Sequence, residues 1–294
     1  MDAFKFTLAA DGTSLAYQSH GSGHPLIFTN GYATSTFYWR PLMGRLGHRA
    51  RLVTWDLKGH GRSAPARDMG SVTVPACADD LRRVMDAAGI ERATLLGFSF
   101  GCQIVLEAWR HFPDRINAIV PILGPYGRPF DNVFDPRVGK VVFRAFQMAG
   151  PRGASMMLRT GWYGAKLPGS HEVARKLGMV CNSVGAGDMR PFYDHLGAID
   201  AETWFAMGAA AQEHSAEDLL STIDVPVLVI TGGRDSFAPA HLGQRMSELI
   251  EGSRWLHIAD ATHTGLLGHT DVIGDEVERF LDSLDAKPAR QAVT

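Results

Sequence analysis

The sequence predicts an α/β fold, in which helices cover both faces of a mostly parallel β-sheet. Short apolar runs alternate with segments of helical spacing along residues 4–123, and the same alternation resumes at Pro226. Strands that are continuously apolar are typical of parallel sheets buried on both faces. Residues 124–220 show no such alternation and predict a helical insertion. A chain of 294 residues is long enough for one large domain that carries an insertion.

The N-terminal elements are predicted from turn signals and apolar runs. Residues 4–8 and 14–18 flank Asp11-Gly12, a strong turn signal between two strands, and predict a β-hairpin. Residues 36–46 are compatible with a short helix, which Pro41 is expected to interrupt.

The remaining elements follow from periodicity. The clearest helix has apolar residues at the spacing i, i+3, i+4, i+7 from Leu81 to Ala88, and Gly89 ends it. Helices are predicted in the same way at residues 75–88, 103–110, 240–250 and 271–284. Short apolar runs predict strands at residues 26–28, 51–55, 93–96, 116–123, 226–231 and 254–258.

Charge and hydropathy argue against several classes of partner. The formal net charge is -2 and no run of Lys or Arg is present, so we expect neither nucleic acid nor an anionic membrane surface as a partner. No apolar run approaches the length of a membrane span, and the N-terminus lacks the pattern of a signal peptide. We therefore expect a cytoplasmic protein, either a monomer or a homodimer.

The three cysteines, Cys77, Cys102 and Cys181, lie far apart and lack the spacing of metal ligands. Such a sparse, odd set fits a reducing compartment and buried thiols, and we expect no metal and no cofactor. Cys102 lies three residues after Ser99, so a second nucleophile is one interpretation. A small packing residue is the favoured one.

The pentapeptide Gly97-Phe98-Ser99-Phe100-Gly101 carries the strongest indication of chemistry. It fits G-x-S-x-G, in which the serine lies on a strained turn between a strand and a helix with its hydroxyl exposed. Glycines on either side relieve crowding at such a turn. Because a predicted strand precedes the motif and a predicted helix follows it, a nucleophilic Ser99 is favoured over a purely structural turn.

A serine hydroxyl needs a base to take its proton and an acid to orient that base. In parallel sheets these groups collect after the carboxyl ends of strands. Asp235 follows the strand predicted at 226–231, and His263 follows the strand predicted at 254–258. Asp260 is a rival acid and His269 a rival base. Asp235 is favoured because it follows a strand of its own, and His263 because it follows the last strand directly.

Together these motifs resemble the α/β-hydrolase-fold serine hydrolases with a helical cap, of the carboxylesterase and carbon–carbon-bond hydrolase type. The resemblance covers residues 4–123 and 225–284. It rests on five segments in this order: Asn30-Gly31-Tyr32 with Trp39 downstream, residues 56–63 (DLKGHGRS), Gly97 to Gly101, residues 232–235 (GGRD), and Thr262-His263-Thr264.

The resemblance implies a role for each site residue. Ser99 is the nucleophile, His263 the base and Asp235 the acid that orients it. Two backbone N–H groups, of Phe100 and Tyr32, form an oxyanion hole that stabilises negative charge on the substrate. His60, between two glycines in the second matching segment, is expected to be structural.

The resemblance also implies a division of the chain. Residues 1–124 and 222–286 form the α/β-hydrolase core, residues 125–221 form the helical cap, and residues 287–294 are expected to be a disordered tail. The insertion is rich in Met, Phe and Trp. An apolar cap implies a small substrate whose acyl or alcohol part is apolar.

Two residues depart from the family pattern. Asn30 stands where the oxyanion loop usually begins with histidine, which puts the anchoring of that loop in question. Thr264 stands where carbon–carbon-bond hydrolases commonly have tryptophan, which favours ester cleavage. The sequence thus predicts a serine hydrolase that cleaves a carboxylic ester through an acyl-Ser99 intermediate. A carbon–carbon-bond hydrolase of a diketone-like substrate and a non-catalytic ligand-binding protein on the same scaffold are the alternatives.

Overall fold

The computed structural model describes residues 3–132 and 136–285, and its described residues include one eight-stranded β-sheet. The strands are β1 (Lys5–Leu8), β2 (Ser14–His20), β3 (His24–Thr29), β4 (Ala50–Trp55), β5 (Ala93–Phe98), β6 (Ile116–Ile122), β7 (Leu228–Gly232) and β8 (Arg254–Ile258). Their order across the sheet is β1-β2-β4-β3-β5-β6-β7-β8. The two pairings of β2 are antiparallel and the others parallel, which confirms the predicted fold class.

Eleven α-helices lie in the described residues: α1 (Arg40–Leu46), α2 (Val74–Ala87), α3 (Phe100–His111), α4 (Pro136–Ala165), α5 (Ser170–Lys176), α6 (Ala186–Leu196), α7 (Ala201–Glu213), α8 (Glu217–Leu220), α9 (Ala240–Leu249), α10 (Gly265–Gly268) and α11 (Thr270–Asp285). Residues 36–46 are interrupted as expected, but the break lies at Trp39, between a 3₁₀ helix (Thr36–Tyr38) and α1, two residues before Pro41. Pro41 lies in the first turn of α1, where backbone N–H groups have no partner within the helix, so proline is tolerated there.

Helices cover both faces of the sheet, as the continuous apolar strands predict. On one face, Leu81 of α2 and Ile104 of α3 join a buried cluster with Ile27 and Leu95. On the other face, side chains of α1 and α11 pack over alternate residues of the same strands. The sheet is thereby buried on both sides, and the carboxyl ends of its parallel strands remain to build a site.

Helices α4 to α8 lie between β6 and β7, and we call residues 136–220 the inserted segment. Helix α4 is kinked at Gly150, whose φ of 60° and ψ of -166° are not helical, and Pro151 follows the kink. No helix of the described residues has the length and apolar character needed to cross a membrane. The division into core and cap stays a prediction, and the expected tail at 287–294 lies outside the described residues.

Candidate active site

Ser99 lies on the turn between β5 and α3 with φ 53° and ψ -118°, a conformation that is rare for a residue with a side chain. Its N–H donates to the carbonyl of Ile122, 3.0 Å away in β6, which ties the turn to the sheet. A Cβ atom on Gly97 would lie 2.4 Å from the Gly101 carbonyl oxygen, and one on Gly101 would lie 2.4 Å from that of Thr29. Both glycines of the motif are therefore needed for the close approach.

The structure brings Ser99, His263 and Asp235 together in one hydrogen-bonded series. His263 Nε2 lies 2.9 Å from Ser99 Oγ, and His263 Nδ1 lies 2.8 Å from Asp235 Oδ2. The other carboxylate oxygen, Asp235 Oδ1, accepts the N–H groups of Phe237 and Ala238, each at 2.9 Å. The ionised carboxylate favours a proton on Nδ1, which leaves the Nε2 lone pair facing the serine hydroxyl. This arrangement can accept the proton of Ser99.

The rival residues lie elsewhere or are unsuited to nucleophilic attack. Asp260 Oδ1 lies 3.8 Å from His269 Nε2 and its side chain is 77% exposed, whereas the acid beside His263 Nδ1 is Asp235 at 2.8 Å. Cys102 is buried, and its thiol donates to the carbonyl of Gly97 at 3.2 Å. Burial raises the pKa of the Cys102 thiol, which disfavours the reactive thiolate.

The two backbone N–H groups that were predicted to form an oxyanion hole are unpaired within the described residues. Across residues 3–132 and 136–285, no hydrogen-bond acceptor is recorded for the backbone N–H of Tyr32 or of Phe100. Phe100 is the first residue of α3, where a helix leaves its N–H groups unpaired. A Cβ atom on Gly31 would lie 3.0 Å from Ser99 Cβ, so the loop that carries Tyr32 passes directly over the serine.

Asn30 anchors the loop of residues 30–34, the predicted oxyanion loop, at the position where the resemblance leads one to expect histidine. Its side-chain Nδ2 donates to the carbonyl of Trp55, and its Oδ1 accepts the indole N–H of Trp39 at 3.0 Å. Asn30 is fully buried, and the bonds to two different parts of the core fix where the loop begins. The departure from the family pattern is therefore compatible with an ordered loop.

Sequence reasoning missed a contact between the oxyanion loop and the inserted segment. Tyr32 Oη donates to the carbonyl of Trp204 at 2.8 Å, and Trp204 Nε1 donates to the carbonyl of Tyr32 at 3.0 Å. The two rings are stacked, with centroids 4.6 Å apart. No periodicity or motif links residues 172 positions apart. The richness of the insertion in tryptophan was the only available signal.

A second missed contact joins the inserted segment to the loop of His263. The N–H of Cys181 donates to Thr264 Oγ1 at 2.8 Å, and Cys181 Sγ accepts the N–H of Thr262 at 3.4 Å. Cys181 thus bonds to the residues on both sides of His263. Thr264, at the position where carbon–carbon-bond hydrolases commonly have tryptophan, takes part in this contact.

In the described ranges, no group of three or more His, Cys, Asp or Glu side chains is arranged to hold a metal ion. The chemistry that these residues can perform is nucleophilic attack by Ser99 with proton transfer through His263.

Known proteins agree with this architecture. The family profile described as alpha/beta hydrolase fold matches residues 24–270. A protein of Azorhizobium caulinodans named as a carbamate hydrolase is 26% identical over 276 residues, which cover 92% of this chain and 96% of that protein. A pimeloyl-acyl-carrier-protein methyl ester esterase of Aliivibrio salmonicida is 23% identical over 290 residues, covering 93% and 98% of the two chains.

Among solved structures, an esterase of Exiguobacterium antarcticum superposes with a TM-score of 0.78. The match has 20% sequence identity and covers 94% of this chain and 98% of the esterase. At that identity, the likeness shows a shared fold.

Proposed function

The chain belongs to the alpha/beta hydrolase fold family, and from this premise we propose that it is a serine hydrolase acting on a carboxylic ester with an apolar acyl or alcohol part. The observation that carries the proposal is the hydrogen-bonded series Asp235–His263–Ser99, together with the backbone N–H groups of Tyr32 and Phe100, which have no acceptor within the described part of the chain. The esterase name of the Aliivibrio salmonicida relative supports the same reaction type.

The reaction proceeds in two acyl transfers. Ser99 Oγ attacks the ester carbonyl while His263 Nε2 takes the hydroxyl proton, and the N–H groups of Tyr32 and Phe100 stabilise the oxyanion. The tetrahedral intermediate then collapses, and His263 returns the proton to the departing alcohol. Acyl-Ser99 remains. A water that gives its proton to His263 attacks the acyl carbon, and the second collapse releases the acid and restores the Ser99 hydroxyl. Asp235 stabilises the imidazolium in both halves.

Residues 125–221 serve as the cap over this site, and residues 1–124 and 222–286 form the core. Aromatic side chains extend from the oxyanion loop into the inserted segment, where Phe146 lies 5.8 Å from Trp204 and 4.9 Å from Phe205 between ring centroids. An apolar wall of this kind favours an apolar substrate and excludes water. The enzyme is proposed to act in the cytoplasm, as a monomer or a homodimer.

The carbon–carbon-bond alternative has less support, because Thr264 occupies the usual tryptophan position and its hydroxyl is engaged by Cys181. A substrate panel separates the possibilities. It contains esters of increasing acyl length, a carbamate suggested by the Azorhizobium caulinodans relative, and a diketone ring-fission product. We expect hydrolysis of the esters to be fastest.

Ser99→Ala tests the proposal directly, with Ser155→Ala in α4 as the matched control. A fluorophosphonate should label wild type and Ser155→Ala stoichiometrically and leave Ser99→Ala unlabelled. Ester turnover by Ser99→Ala should fall by at least about 10⁴-fold, because the nucleophile is lost. If wild type and Ser99→Ala react alike with the probe and with every ester, the protein is not a serine hydrolase.

A further inference from the structure

The carbonyl of Tyr32 is held from two directions. Trp204 Nε1 in the inserted segment donates to it at 3.0 Å, and His60 Nε2 in the core lies 2.8 Å from it. The two groups differ in whether they always carry a proton to donate. An indole N–H is always a donor, whereas a neutral imidazole carries one proton for two nitrogens.

His60 has to divide that proton between two carbonyls, because its Nδ1 lies 2.9 Å from the carbonyl oxygen of Lys58. Burial lowers the pKa of His60, which favours the neutral ring with a single N–H. Trp204 is therefore the donor on which the Tyr32 carbonyl depends in either tautomer of His60.

The contact also fixes the position of the Tyr32 amide nitrogen, and the Gly31 carbonyl in the same peptide plane accepts the N–H of Thr34 at 3.3 Å. The Cα atom of Tyr32 carries three heavy-atom substituents: the carbonyl carbon, the side chain and the amide nitrogen. Trp204 binds the first through its indole N–H and the second through its own carbonyl. With two of three substituents held, the position of the amide nitrogen is set.

Helix α7, which carries Trp204, is a rigid support for this contact. The N–H of Asp200 just before the helix donates to the carbonyl of Gly59 at 2.9 Å, and Thr203 Oγ1 accepts the N–H of Ala66 at 3.0 Å. Gly208, one turn after Trp204, packs so closely that a Cβ atom there would lie 2.3 Å from Tyr32 Oη. The tyrosine is thus confined by α7 over two successive turns.

We propose that Trp204 is a positioning residue, whose indole N–H aims the backbone N–H of Tyr32 at the oxyanion of the tetrahedral intermediate. The inference rests on the proposed ester hydrolysis and goes beyond it. It makes the inserted segment a part of the catalytic geometry, in addition to a wall of the pocket. Because the oxyanion forms only in the transition state and intermediate, the contact acts on kcat and leaves substrate binding unchanged.

Trp204→Phe removes the indole donor and keeps an aromatic ring against Tyr32. Trp162→Phe is the matched control, since Trp162 lies in α4 and its ring lies against Tyr163, Lys166 and Gly197 of the same segment. A misaimed donor should lower kcat of Trp204→Phe by about 10- to 100-fold, with KM within about twofold of wild type. The pH profile should keep its shape, because the series at His263 is untouched. Trp162→Phe should match wild type.

Amide hydrogen exchange at residues 31–34 gives a readout that does not need turnover. Exchange in Trp204→Phe should be faster than in Trp162→Phe by about 10-fold, because the loop has lost an anchor. Equal exchange in the two variants, equal kcat, or a loss confined to KM would each overturn the role of Trp204.

The two proposals fail in distinguishable ways. Absence of Ser99-dependent turnover in wild type would end the ester proposal, and exchange at residues 31–34 would still decide whether Trp204 positions the loop. Should Trp204→Phe not fold, Tyr32→Phe serves in its place. It removes the phenol bond to the Trp204 carbonyl, one of the two bonds by which Trp204 holds Tyr32, and keeps the indole donor. A smaller drop in kcat, of about 2- to 10-fold at constant KM, is therefore expected, and an unchanged kcat counts against the proposal.

Discussion

Helices α7 and α4 belong to the same inserted segment but differ in how they contact the rest of the protein. Around α7, hydrogen bonds join residues 200–214 to core residues, including Gln103 Nε2 to the carbonyl of Ala211 at 2.9 Å. Along α4, Val141 is 66% exposed, Met148 90% and Met156 67%. One helix is bonded to the core at several points, and the other meets mainly solvent on its outer side.

The difference shows that one part of an insertion can position active-site residues while another part tolerates changes of sequence. Apolar contact is non-directional, so it brings surfaces together without fixing the orientation of a peptide group. Hydrogen bonds fix orientation. We infer that residues of the segment with polar bonds to the core govern catalysis, and that exposed residues of α4 do not.

The largest contrast is expected between glycines of the two helices. Gly208→Ala in α7 would place a methyl group 2.3 Å from Tyr32 Oη, so the tyrosine must move. A shift of about 1 Å at a catalytic group costs about 100-fold in kcat, and overpacking lowers the free energy of unfolding by about 1–3 kcal/mol. Ester kinetics and urea denaturation measure the two effects.

Gly164→Ala in α4 is the matched control, because a Cβ atom there meets nothing within 4 Å. We expect unchanged kcat and a gain in the free energy of unfolding of about 0.5–1 kcal/mol, since alanine is the better helix former. Similar effects of the two substitutions would erase the distinction between α7 and α4.

Buried His195 on the inner side of α6 should make the stability of the fold depend on pH. His195 is buried with its ring 5.8 Å from that of His60 and 5.6 Å from that of Phe37. Burial, with a smaller contribution from His60, lowers the pKa of His195 to about 3. Between about pH 6.5 and pH 3 the unfolded chain binds a proton that the folded chain does not, so acid destabilises the fold.

The free energy of unfolding should therefore fall by up to about 1.4 kcal/mol for each pH unit as the pH falls through this window. His195→Leu should remove it, and the exposed His48→Leu should keep it. Denaturation at several pH values measures the slopes. Parallel curves for wild type and His195→Leu would mean that His195 stays protonated or exposed in the folded protein.

Cys181 extends the comparison to the loop that carries His263, the proposed base. Cys181→Ala leaves the buried N–H of Thr262 without an acceptor, which costs about 1–3 kcal/mol. Cys181→Ser keeps a short side chain that can accept, and it should recover part of the stability and of the ester turnover. Thermal denaturation and kcat of both variants provide the measurement. Equal losses in Ser and Ala would assign Cys181 to packing alone.

The smallest effect is expected on the outer side of α4. Met148→Ser should change the free energy of unfolding by less than about 0.5 kcal/mol, because its side chain is already 90% exposed. Its kcat for short esters should equal that of wild type. A clear loss of turnover would show that exposure does not mark the part of the segment that is free to vary.

Local signals were sufficient for the fold. Strand β8 occupies the predicted residues 254–258, and α2 lies within one residue of its prediction. Apolar runs and helical spacing are properties of neighbouring residues, so sequence carries them directly. The turn at Ser99 was predictable for the same reason, because strand, glycines and helix are adjacent in the chain.

The contacts of the inserted segment were beyond such reasoning. The bonds from Trp204 to Tyr32 and from Cys181 to Thr262 and Thr264 join distant positions through backbone groups, which every residue possesses. The break within residues 36–46 was predicted, but it lies at Trp39 and not at Pro41, because proline breaks a helix interior and suits its first turn. The catalytic roles of Ser99, His263 and Asp235 stay predictions until the variants are measured.

The place where the segment leaves the sheet has a consequence for protein engineering. An antiparallel bridge joins Gly127 to Ser215, where the N–H of Arg128 donates to the carbonyl of His214 at 3.0 Å and the N–H of Ala216 to that of Tyr126 at 2.9 Å, so the two ends of the insertion are tied together. The entropic cost of closing a loop grows with the logarithm of its length, about 0.6 kcal/mol for each doubling. Segments of very different length can therefore be grafted at this junction as exchangeable modules at little cost to the sheet.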